Sequence, residues 1–203
     1  MITSLEIEQP RSPCSLREFV TQLKESVRSD EHERHLGIQK KGLYKEYLDE
    51  LVPLSCFAVL AYPECYTVKP ILGNQGYDAL VFDQTGKEFD RIEITSPHDG
   101  AAAATEAKFV VNHGWARMPG GEPGDDFDAQ FPHVLATCYK KAAADYSDCT
   151  LVIAVAPMPP FESFEGRYEE QIVALRREIA QIKFKAKRVF LLLLPDRVIN
   201  VHG

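Results

Sequence analysis

Apolar residues recur at helical spacing near the N-terminus: Leu16, Phe19, Val20, Leu23 and Val27, beginning in Ser15-Leu16-Arg17-Glu18, which has the form of a capping box. The spacing predicts a helix over residues 15–28. Residues 29–41 are dense in charge, contain Gly37, and read as a helical or irregular connection that packs little. A second helix is predicted from Gly42 on the stripe Leu43, Tyr44, Tyr47, Leu48 and Leu51. Pro53 interrupts it or opens a short helix through Leu60, since proline is tolerated in a first helical turn.

The pattern changes after Pro63. Residues 66–72, 77–83 and 88–95 read as three strands, separated by Gly73-Asn74-Gln75-Gly76 and Gln84-Thr85-Gly86-Lys87. Short β-rich runs joined by glycine-containing turns predict an antiparallel meander. Ala101 to Ala104 open a helix reaching about Asn112. Residues 113–130, rich in Gly, Pro and Asp and containing Trp115, read as a loop. A helix over 132–146, a buried strand over 151–156, an amphipathic helix over 164–183 and a buried strand over 189–194 complete the series. The fold class expected is α/β: a three-layer domain on a mixed sheet, with an antiparallel three-strand meander followed by α-β-α-β. Residues 1–203 are expected to form one domain, with a helical part over about 1–62 packing on an α/β core over about 63–195.

Composition narrows the function more than the fold. The chain has 203 residues, 45% of them apolar and 26% charged, which suits one soluble domain. No apolar run approaches the ~20 residues of a membrane span. Glu6 and Glu8 fall where a secretory leader would be apolar, and five cysteines with no C-x-x-C pair suit a reducing compartment, so a cytoplasmic protein is expected. A net charge of −7 argues against a binder held mainly by a broad basic surface. No H-E-x-x-H, G-x-S-x-G, P-loop or G-x-G-x-x-G motif occurs.

Two acids on the predicted hairpin are the first candidates for chemistry. Alternation puts Asp78, Leu80 and Phe82 on one face of the second strand, and Arg91, Glu93 and Thr95 on one face of the third. Antiparallel pairing brings the start of one beside the end of the other, where Asp78 and Glu93 would hold a hard cation such as Mg²⁺. The alternative, acids on a wet strand face, is the reading given to Asp83, Glu88 and Asp90. His98 and Asp99 follow closely, with Asp99 equally a helix cap. Asn74 suits turn chemistry, and Gln75 is left open. Lysines cluster at Lys40-Lys41-Lys45, at Lys140-Lys141 and at Lys183-Lys185-Lys187-Arg188. These suit phosphate contacts if they fall beside Asp78, and otherwise a solvated face.

The stretch GNQGYDALVFDQTGKEFDRIEIT resembles the core of the PD-(D/E)xK nuclease superfamily, with its restriction-endonuclease-like fold. CYKKAAADYSDCTLVIAVAP is similar to that family's helix ending in a Lys-rich, Tyr-containing turn before a buried strand. The resemblance spans about residues 42–195. It implies a metal-dependent nuclease hydrolysing phosphodiester bonds in nucleic acid with Mg²⁺ or Mn²⁺. Asp78 and Glu93 would be metal ligands, with the Ile94 carbonyl a third. Thr95 stands where the family's lysine should be, so that role is unfilled or relocated, with Lys69 and Lys108 as candidates. The leading helix would add an acid, Glu46 by best match or Glu50. The other reading, favoured by Thr95 and the acidic balance, is a nuclease-like domain that no longer cleaves and serves as a binding or assembly module. Nucleic acid is the partner implied, no membrane is expected, and a homodimer stays open.

Overall fold

A computed structural model describes residues 2–73, 75–97, 100–114, 125–155 and 165–202. Helices Ser4–Ile7 (α1), Pro13–Ser29 (α2) and Glu31–Ile38 (α3) lead into a continuous helical stretch. That stretch comprises Tyr44–Glu46 (α4), a π-helical turn Tyr47–Leu51, and Val52–Ala61 (α5). Strands Thr67–Pro70 (β1), Ala79–Phe82 (β2) and Glu88–Thr95 (β3) follow. Then come Gly100–His113 (α6), Asp125–Ala142 (α7), Asp145–Val155 (β4), Glu165–Ala180 (α8), Lys185–Leu193 (β5) and Arg197–His202 (β6).

The six strands form one sheet in sequence order. β1, β2 and β3 are antiparallel, β3, β4 and β5 are parallel, and β6 returns antiparallel at the far edge. The expected mixed α/β architecture is therefore present, with a sixth strand added beyond residue 195. Helices cover both faces. Leu16, Leu54 and Phe57 pack with Val68, Val81 and Ile92 on one side. Val134 and Cys138 of α7 and Ile172, Leu175 and Ile179 of α8 pack on Leu151, Ile153 and Leu191 on the other. Among the described residues no helix is long and apolar enough to cross a membrane.

Several elements differ from the sequence reading for local reasons. The cap of α2 is Ser12, whose hydroxyl accepts from Ser15 N–H, with Pro13 in the first turn, so the Ser15–Glu18 box lies inside the helix. Residues 31–38 pack more than expected: Glu33 and Gly37 are buried, and the Tyr44 hydroxyl donates to Glu33. α7 starts at Asp125, within the stretch read as loop, and carries Pro132 inside it. Acids such as Asp125 and Asp128 suit a helix N-terminus as well as a loop. Trp115 and the rest of 115–124 lie outside the described residues, as do Asn74, His98 and Asp99.

Pro53 explains the π turn. It has no N–H to give the Asp49 carbonyl four residues back. The Val52 N–H instead reaches the Tyr47 carbonyl. The Asp49 carbonyl is satisfied from outside the helix by the Ser96 hydroxyl at 2.7 Å, just past β3. A break in the helix is thus tied to the end of the strand that carries Glu93.

Candidate acid cluster at the sheet edge

Asp78 immediately precedes β2. Its N–H donates to the Ile92 carbonyl at 2.7 Å, its carbonyl accepts from Ile71 N–H at 2.8 Å, and its Oδ2 accepts from Ile94 N–H at 2.6 Å. The carboxylate therefore stands in for the next rung of the β2–β3 ladder. This is where the expected alternation fails: Asp78 does not continue the face of Leu80 and Phe82. It lines a crevice with Glu46, Glu50 and Leu54 of the helical stretch, and with Ile7 and Leu72. Ile94 meets it through its amide, not through the carbonyl expected as a ligand.

Glu93 approaches from the other side of the sheet. It pairs in register with Leu151, which packs in the α7–α8 core. Its Oε1 accepts from Lys141 Nζ at 2.5 Å, and the two side chains are only 12% and 18% exposed. Lys141, in the last turn of α7, also donates to the Tyr146 hydroxyl at 3.3 Å and lies 5.3 Å from the centre of that ring.

The fields of these groups are coupled. Burial is the main cause that pushes Asp78 from an ordinary 3.8 up to about 7; the charges of Glu93 and Glu50 add to it, while the Ile94 amide and Lys141 oppose it. Glu50 is raised by burial first and then by Glu46, with Glu93 and Asp49 adding and Lys45 opposing. Burial alone would lower Lys141, but its hydrogen bond and charge interaction with Glu93 outweigh that and hold it above the usual lysine value. Among the described residues, Glu46 Oε2 and Gln75 Nε2 belong to the buried polar atoms that have no hydrogen-bond partner. Lys141 thus acts on Asp78 and Glu93, while Lys45 acts on Glu50.

The other expected residues fall elsewhere. Thr95 is half-buried and pairs with Ile153. Lys69 pairs with Leu80 in β1, and Lys108 is exposed on α6. The cation acting on Asp78 and Glu93 is Lys141, which the sequence places in a basic cluster and in the Lys-rich, Tyr-containing turn but not among the candidates for the relocated lysine. Its signal was present in CYKKAAADY: parity turns Glu93 toward the helix that packs beneath β3 and β4.

Asp90, expected on a wet face, is buried to 2%. Tyr62 Oη and Thr150 Oγ1 each donate to it at 2.7 Å, Lys187 Nζ donates at 3.1 Å, and the Arg188 guanidinium also contacts it. Burial pushes its carboxyl up, but these donors prevail and hold it below the ordinary value. Lys187 and Arg188 of the basic cluster therefore engage Asp90 and not Asp78, while Lys185 lies opposite Asp145.

The chain is a mixed α/β protein with a crowded acid cluster where its meander meets its helices. No protein-family model, no curated protein and no solved structure matches it.

Proposed function

We propose that the chain is a divalent-metal-dependent nuclease of the PD-(D/E)xK nuclease-like class. The observation that carries this reading is the electrostatic influence of Glu93 on the buried Asp78 carboxyl, with the Lys141 ammonium on Glu93. The donor set suits a hard cation, because it is all oxygen and because burial, with the charges of Glu93 and Glu50 adding to it, raises Asp78, which a neighbouring positive charge would oppose. Among the described residues, no group of three or more His, Cys, Asp or Glu stands ready as a ligand set. Asp78 and Glu93 therefore fit Mg²⁺ or Mn²⁺, which is often held by one or two carboxylates with water, better than a cation needing a full protein cage.

When bound, such a cation would supply Lewis acidity and a water of lowered pKa. The protein's own part follows from its groups. Asp78 and Glu93 would hold the cation, with Glu46 and Glu50 setting the negative field of the crevice. Lys141 takes the role that Thr95 cannot fill, placing positive charge where negative charge develops on the phosphoryl oxygens.

The second reading is the non-cleaving binding module. Its support is that Lys141 already engages Glu93, so the pair is satisfied without a cation. Cleavage separates the two. With mixed DNA and RNA substrates, the chain should cleave with Mg²⁺ or Mn²⁺ and stop in EDTA, and Glu93→Ala should lose about a hundredfold or more in rate. Cleavage that survives Glu93→Ala in a folded protein, or that ignores EDTA, would remove the proposed site.

A further inference from the structure

We infer that the aromatic cluster around Phe89, edged by Lys187 and continued along β5 toward the exposed Lys185 and Lys183, is a docking platform for single-stranded nucleic acid. The platform starts from a β-bulge. Val81 pairs with Asp90 but Phe82 pairs with Glu88, so Phe89 is the extra residue in β3. A bulge re-aims side chains. Phe89 turns edge-on to Tyr66, with ring centres 5.1 Å apart, and also to Tyr62 at 6.3 Å. It nevertheless stays 44% exposed, an unusual state for a phenylalanine with so many ring neighbours. Lys187 Nζ lies 5.6 Å from its ring centre.

Charge selects the occupant. Lys183 and Lys185 are exposed, and Lys187 is 42% exposed. Lys187 and Arg188 engage Asp90, Lys185 lies opposite Asp145, and the neighbouring Glu88 and Asp148 are engaged by Arg91, so that with Lys183 five cations stand beside four acids. This local excess of positive charge stands out on a chain of net charge −7. An exposed ring beside cations is the arrangement on which unpaired bases stack while phosphates meet lysine. A duplex offers no free base face to such a ring.

Phe89 lies four strand residues before Glu93, roughly 13 Å of extended chain. Binding itself does not require cleavage, but identifying the bound strand as the substrate rests on the nuclease reading.

The test is fluorescence anisotropy of a labelled single strand of about 12 nucleotides and of a matching duplex, both in EDTA. The single strand should bind about tenfold more tightly than the duplex, and Phe89→Ala should weaken it about tenfold. Lys183→Glu with Lys185→Glu, which leaves the ring cluster and Asp90 untouched, should weaken it similarly and flatten its salt dependence. No binding of the single strand, a preference for duplex, or affinity unchanged in both variants would overturn the platform. Equal displacement of the strand by a polyglutamate peptide would also overturn it, in favour of an acidic protein partner. Binding in EDTA without cleavage in Mg²⁺ or Mn²⁺ would keep the platform and reject the nuclease. Cleavage that ignores both sets of variants would do the reverse.

Discussion

Asp78→Asn should abolish cation-dependent cleavage and, in EDTA, make the folded chain more stable above neutral pH. The two effects share one cause. Burial, with the charges of Glu93 and Glu50 adding, raises Asp78 to about 7, so folding favours its protonated form. The sign follows by linkage: the stability this group contributes is fully present below its ordinary 3.8 and is lost as pH rises through about 7. Asparagine mimics the neutral form and can still accept from the Ile94 amide. At about pH 8 the variant should therefore gain roughly 2–3 kcal/mol over wild type, with little difference near pH 4. Urea unfolding at the two pH values measures this directly. The same substitution removes a ligand oxygen, so cleavage should fall a hundredfold or more, about 3 kcal/mol of transition-state stabilisation. A variant less stable than wild type at the higher pH would contradict the burial that raises Asp78.

Lys141→Gln should act in the opposite direction on stability. It leaves Glu93, 12% exposed, without its ammonium partner. Removing one member of a largely buried pair exposes the other to its full desolvation cost, here roughly 2–3 kcal/mol, discounted for partial exposure. Lys141 also lowers Asp78 through its charge, so its loss should move the pH midpoint of cation binding upward. If Lys141 is only a structural partner, cleavage should fall no further than the folded fraction does. Under the nuclease reading, cleavage falls well beyond that at a temperature where circular dichroism reports full folding. Lys141→Arg, which keeps the charge with a different shape, should recover most of the stability and only part of the rate.

Much of the fold was legible because the core strands are apolar runs between clear turns. β3 matches its predicted bounds, and hairpin pairing sets Asp78 against Ile92 and Ile94, the residues on either side of Glu93. What was missed has physical causes. β4 and β5 extend toward exposed, charged ends at Asp145 and Lys185, where no apolar pattern marks a strand. β6 alternates only weakly and is nowhere fully buried, so its burial gives no clean period of two. Asp90 reads as a surface acid because its partners Tyr62, Thr150, Lys187 and Arg188 lie up to 98 residues away in sequence. Lys141 was hidden for the same reason, 48 residues from Glu93. The π turn was legible only in part: Pro53 marked a break, but not that Ser96 would complete it.

If Asp78 and Glu93 together hold one divalent cation, a Mn²⁺ titration followed by electron paramagnetic resonance will show it. Wild type should bind about one Mn²⁺ at roughly pH 8, with affinity falling as pH drops through about 7 and Asp78 takes up its proton. Asp78→Asn and Glu93→Gln should each lose that site while remaining folded. Binding of equal strength in wild type and both variants, or no binding to wild type at any pH above 7, would contradict the account.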